Sequence, residues 1–235
     1  MKLEVLFPQI CNLYGDLFNI KYFSSCSKSI SVNETLITET PLFVTEDVDM
    51  IYMGAMSEHS QELVINALRP YRDRLIELID KGTVFLCTGN SAEVFGKYIE
   101  TDDKKQIEAL SIFDVYSVRR MMKRHNSNFL GKFENIDIVG FKSQFTQMYG
   151  DNTNGYFAQV VKGIGLNPES RLEGIRRNNF FGTYLIGPLL ILNPSFTEYL
   201  LRLLGVEDYS LPYCEDVKKA YTRRLEELNS IDVLK

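Results

Sequence analysis

One stretch of the chain concentrates residue types that can do chemistry: Thr83-Val84-Phe85-Leu86-Cys87-Thr88-Gly89, running on through Glu93 to Gly96. An apolar, β-rich run ends at a cysteine, a glycine follows two residues later, and a helical pattern begins. That is the outline of a nucleophile elbow, a sharp strand-to-helix turn that presents a side chain to solvent while a glycine lets strand and helix pack closely. The partial positive charge of a helix amino terminus favours thiolate over thiol, so Cys87 in this setting suits nucleophilic catalysis. The same residues also fit a plainer role, a small buried hydrophobe closing a core strand, and the turn alone leaves both readings open. A likeness to a phosphate-binding loop fails, because six residues separate Gly89 from Gly96 where the loop needs about four. Tyr98 also stands where a magnesium-binding hydroxyl is required.

Around that turn, short β-rich runs alternate with helical patterns, the signature of βαβ units feeding a parallel sheet. A doubly wound α/β fold is expected. Strands are predicted over residues 3–7, 29–36, 48–53 and 83–87, with a helix over 13–24 and a long one over 58–81 that Pro70 should kink or divide. The run 83–87, between Gly82 and Thr88-Gly89, suits a buried central strand, and a helix over 91–99 should follow it. From 107 to 184 the pattern changes to short β runs, among them 136–141, 156–161 and 180–185, predicting mixed or antiparallel strands. Helices over 194–204 and 215–229 close the chain, and residues 1–235 read as a single domain.

With 45% hydrophobic and 24% charged residues, the chain can bury a sizeable core. A net charge of −5 supplies no basic field for phosphate backbones or anionic lipid, which argues against a nucleic-acid partner. The basic cluster Arg119, Arg120, Lys123 and Arg124 reads as a solvated face without a role. The longest apolar stretch, 180–192, is broken by Gly187 and Pro188 and falls short of the roughly 18 residues of a membrane span. The first ten residues lack the long apolar region and cleavage site of a secretory signal, so a cytoplasmic location is expected. Cys11, Cys26, Cys87 and Cys214 are scattered, form no C-x-x-C pair, and read as free thiols; no metal centre is expected.

A second segment changes the weighting. Glu173-Gly174, then Gly182-Thr183-Tyr184-Leu185-Ile186-Gly187-Pro188, then Asn193-Pro194 resembles the E-G, G-T-Y-L-H-G-P and N-P block of cobyric-acid-synthase-type class I glutamine amidotransferases. Within that family the chain is most similar to the glutaminase subunits of lipid II isoglutaminyl synthases. Asn12-Leu13-Tyr14-Gly15-Asp16-Leu17-Phe18-Asn19-Ile20 resembles their N-L-Y-x-D-x-x-N-I opening, and Gly54 to Gln61 sits where their G-G-G-x-D-x-E-Q loop would fall. The resemblance implies a flavodoxin-like three-layer sandwich with a mostly parallel central sheet. It also implies a cysteine that attacks the side-chain amide of glutamine, no cofactor, and ammonia supplied to a Mur-ligase-like amidating subunit. Carried over residue by residue, it makes Cys87 the nucleophile and puts Gly54, Ala55, Thr88 and Gly89 on the substrate and oxyanion side.

The same comparison exposes what is absent. The family histidine, base for the thiol and acid for the departing ammonia, maps onto Ile186, which can neither accept nor donate a proton. The two histidines present, His59 and His125, lie in polar stretches and read as surface residues. The G-F-E-N-H-x-G-R-like stretch corresponds to 140–147, so Gln144 and Gln147 are degenerate positions, and Ser91 replaces the usual glutamine four residues after Cys87. Gly54-Ala55-Met56 replaces three glycines, restricting the backbone that presents amide donors. Glu93, the nearest carboxylate in sequence, is expected about two helical turns beyond Cys87. Losing one member of a nucleophile and base pair costs several orders of magnitude in rate. The expectation is a glutaminase-fold protein with impaired or absent glutamine hydrolysis, retained as a binding or regulatory partner. Two alternatives stand beside it: a working glutamine-hydrolysing subunit with a base from elsewhere, and a different cysteine-dependent reaction on the same fold.

Overall fold

The run that ends at the candidate turn becomes the middle of a six-stranded sheet. In the structure, a computed structural model that describes residues 1–230, the strands β1 (Lys2–Leu6), β2 (Ser31–Thr35), β3 (Met50–Met53) and β4 (Val84–Thr88) join β13 (Ile175–Arg177) and β14 (Phe180–Thr183). Their order is β13-β14-β4-β3-β1-β2, with every pair parallel except β13 on β14. Every residue of β3 and β4 is buried, as continuous apolar runs in a parallel sheet covered on both faces should be. One face packs against Val64, Ile65 and Leu68 of the helix Glu58–Leu68 and Leu75, Leu78 and Ile79 of Arg72–Lys81. The other meets Ile20 and Phe23 of Phe18–Ser25 and Phe196 and Leu200 of Pro194–Leu203. Three layers follow, as expected.

Of the strands predicted in the second half, the one over 180–185 enters the central sheet as β14, beside β13, and the rest of this region builds two further sheets. One has the order β10-β7-β5-β6, from Thr146–Gly150, Val115–Arg119, Tyr98–Glu100 and Gln106–Glu108. The other has the order β12-β11-β8-β9, from Leu172–Glu173, Ala158–Lys162, His125–Phe133 and Ile136–Gln144.

Local departures have local causes. Pro70 does divide the helix expected over 58–81, leaving a single turn at Arg69–Tyr71 between two helices. The helix expected from residue 13 begins only at Phe18, because Tyr14 and Gly15 are both left-handed, with φ of 63° and 73°. The helix expected over 91–99 is a tight seven-residue turn, Gly89–Phe95, after which the Lys97 N–H bonds to Val115 O at 2.7 Å and draws the chain into β5. Among the described residues no helix is long and apolar enough to cross a membrane.

Candidate functional site

The position of the bend decides which residue is presented. β4 is paired with β3 as far as Cys87 and with β14 as far as Thr88, which sets Cys87 opposite Met53 of β3 and Gly182 of β14. Thr88 is still extended, and the chain turns only at Gly89, whose φ is +62°. Cys87 therefore lies inside the strand, fully buried in the core. Burial pushes its thiol far above the ordinary range, and the neighbouring Cys11 pushes the same way. Thr88 is also buried, its hydroxyl donating to Asp16. The turn expected at Cys87 falls two residues later, and Cys87 is not brought to the pocket.

That pocket, a cavity of about 270 Å³, has Leu13, Tyr14, Ala55, Met56, Gly89, Asn90, Arg124, Gln144 and Ile186 among its walls. A Cβ built on Gly89 would stand 3.5 Å from Cγ2 of Ile186 and 2.6 Å from Cβ of Ala55. The inner end is thus apolar and closely packed. At Gly54 a Cβ would fall 2.5 Å from Cys11 O, so only glycine fits there. Gln144 donates to Thr146 O at 2.7 Å and keeps a buried, unpaired Oε1; Gln147 is outside the pocket wall. Neither histidine lines the pocket. His59 is exposed, whereas His125 is half-buried beside Ser127 Oγ at 2.9 Å, its pKa lowered by burial and by the charge of Lys142.

Two side chains tie the loops around this pocket. Asp16 accepts from Thr88 Oγ1, from Ala55 N at 2.8 Å, from Asn19 Nδ2 at 3.0 Å, and from the Gly187 amide. Burial raises its pKa, and the Thr88, Ala55 and Gly187 donors oppose that rise. Asn90 grips Met56 at two points: Oδ1 accepts from Met56 N at 3.0 Å and Nδ2 donates to Met56 O at 2.9 Å.

Behind the wall lie two buried polar groups whose burial and pairing the sequence reading did not foresee. Glu93 accepts from Gln61 Nε2 at 2.9 Å and from Tyr184 OH at 3.0 Å, and Gln61 in turn accepts from Arg119 Nη2 at 2.7 Å. Burial pushes the Glu93 carboxyl up to about 7 against those donors. Arg119 is only 6% exposed, so the basic cluster is not one solvated face, and Arg120 pairs with Glu100. Lys142 is wholly buried, paired with Glu173 and donating to Ile164 O at 3.0 Å and Gly165 O at 2.7 Å. Burial lowers its pKa, and Glu173 opposes the shift. Strand alternation carried a usable signal: Val115, Ser117 and Arg119 share one face of β7, and the first two are plainly core-facing.

Fold and site together define a class I glutamine amidotransferase-like protein, with its pocket at the carboxyl end of a central parallel strand. The CobB/CobQ-like glutamine amidotransferase domain matches residues 3–193, and the chain belongs to that family. It is 32% identical, over 81% of its length and 79% of the relative's, to the lipid II isoglutaminyl synthase (glutamine-hydrolyzing) subunit GatD of Staphylococcus aureus. To the Streptococcus pneumoniae subunit of the same name it is 25% identical, over 90% of its length and 85% of the relative's. Among solved structures it resembles a glutamine amidotransferase with a TM-score of 0.56 at 14% identity, covering 86% of this chain and 99% of that one. A glutamine amidotransferase of Thermotoga maritima gives a TM-score of 0.53 at 10% identity, covering 97% of this chain and 94% of that one. Both likenesses concern the fold.

Proposed function

We propose that this chain is a glutamine amidotransferase-like subunit that does not hydrolyse glutamine and serves, in the cytoplasm, as a binding or regulatory partner of a Mur-ligase-like amidating subunit. One observation carries the reading: the residue presented at the turn is Gly89, and the residue facing it is Ile186. Glutamine hydrolysis by covalent catalysis needs a nucleophile and a proton carrier within hydrogen-bond reach. Glycine has no side chain, and isoleucine carries no exchangeable proton. Cys87 would have to leave the pairings with Met53 and Gly182 to reach the cavity. The oxyanion side supports the same reading, since the Ala55 and Met56 amides already donate to Asp16 and Asn90. The subunit role is supported by the relatives, each of which is one subunit of a glutamine-hydrolysing synthase.

The test is ammonia or glutamate release from glutamine by the purified chain, alone and mixed with the other subunit of the Staphylococcus aureus synthase, beside its Cys87→Ala variant. No release above the buffer blank is expected in either setting. Turnover that disappears in Cys87→Ala would overturn the reading and restore Cys87 as a nucleophile.

A further inference from the structure

Asn90 directly follows Gly89 on the pocket wall, and its carboxamide does to Met56 what a bound primary amide would do. It takes the Met56 N–H on its oxygen and gives a proton to the Met56 carbonyl from its nitrogen, satisfying both polar groups of one residue across 34 positions of sequence. A local Asx turn does not span such a distance; this contact joins the β3 loop to the β4 turn. The Ala55 N–H is occupied by Asp16, and the Asn90 carbonyl is itself held by Gln61 Nε2 at 2.7 Å. Consecutive amides of the 55–56 loop thus have partners from within the chain.

We propose that Asn90 is an internal ligand, a latch whose carboxamide fills the place where a primary carboxamide from outside would dock. The inference rests on the reading of this site as non-hydrolysing and explains what the loop amides do in the absence of a substrate. A free amide has to displace a group tethered at high effective concentration, so the wild-type pocket discriminates against primary amides.

The test uses the full chain and reads the Met56 backbone amide by NMR. Asn90→Ala is expected to speed its hydrogen exchange by roughly tenfold, the scale of one lost hydrogen bond. Asn90→Asp, which keeps the acceptor and loses the donor, should retain the protection. Titration with L-glutamine or propionamide should shift the Met56 resonance in Asn90→Ala and leave it unmoved in the wild type. Unchanged exchange in Asn90→Ala, or equal response of wild type and variant to the amides, overturns the latch. Should Asn90→Ala lose its native spectrum, Asn90→Ser, too short to reach Met56, makes the same comparison. Glutamine turnover by the wild type would remove the non-hydrolysing reading without touching the exchange result, so the two can fail separately.

Discussion

Gly89 and Ile186 meet at the inner end of the pocket, where a Cβ on the glycine would lie 3.5 Å from the isoleucine Cγ2 and 2.6 Å from Ala55 Cβ. Three positions in three loops are therefore packed as one set. Gly89→Cys should cost about 1–3 kcal/mol, from overpacking against Ala55 and from a side chain at φ +62°. Adding Ala55→Gly should recover part of that loss, giving a coupling above about 0.5 kcal/mol in a double-mutant cycle of urea melts. Strict additivity would show that the two positions do not share the space.

Thiol chemistry checks the placement of Cys87. Cys11, Cys26 and Cys87 are buried, and Cys214 is partly exposed. Brief alkylation of the native protein followed by peptide mass spectrometry should label Cys214 and spare the other three. Cys87→Ala should act on stability, by an amount on the order of 1–2 kcal/mol for a small cavity in a packed strand. Labelling of Cys87 at the rate of Cys214 would contradict its burial.

Glu93 predicts a pH dependence with a definite sign. Its folded pKa, about 7, lies above the ordinary carboxyl value, so the folded state binds the proton more tightly than the unfolded chain. Its contribution is greatest below the unfolded pKa and is lost as pH rises to about 7, by roughly 2–4 kcal/mol. Glu93→Gln should flatten that slope, because the amide keeps an acceptor for Gln61 and the Tyr184 hydroxyl can turn to accept. Melting temperatures from pH 4.5 to 8 are the measurement, and parallel wild-type and variant curves would remove Glu93 as the source.

Lys142 and Glu173 should behave as an inseparable pair. Lys142→Met leaves a fully buried carboxylate without its counter-ion and should destabilise by about 3–5 kcal/mol. Joining it with Glu173→Gln should return much of the loss. Denaturant midpoints decide the matter: a double variant no better than Lys142→Met would mean that the lysine stem, not the charge pair, holds this region.

The architecture was legible because its signals were local. Continuous apolar runs marked β3 and β4, and Pro70 marked the break between two helices. Ile186 was singled out from its block alone, as the residue standing where the resemblance expects a histidine, and the structure brings it to the pocket wall. The turn was misplaced by two residues because Cys87 and Gly89 both satisfy a strand-end pattern; only the pairing of β4 through Thr88 shows which one bends the chain. Arg119 read as part of a solvated face, and nothing local marked Glu93 or Lys142 as buried, yet each is buried beside a partner that lies 31 or more positions away in sequence. No pattern within one segment records such a partner.

Asp16 joins the loop at Ala55, the strand end at Thr88 and the segment at Gly187 through a single carboxyl group. Lifting any one of these strips a donor from a buried acid, and the remaining two are then weakened together. Local opening of the pocket rim should accordingly be an all-or-none event, with the amides of the three segments sharing one opening free energy. A rim of that kind keeps a single rigid shape, and it persists whether or not any reaction takes place inside it.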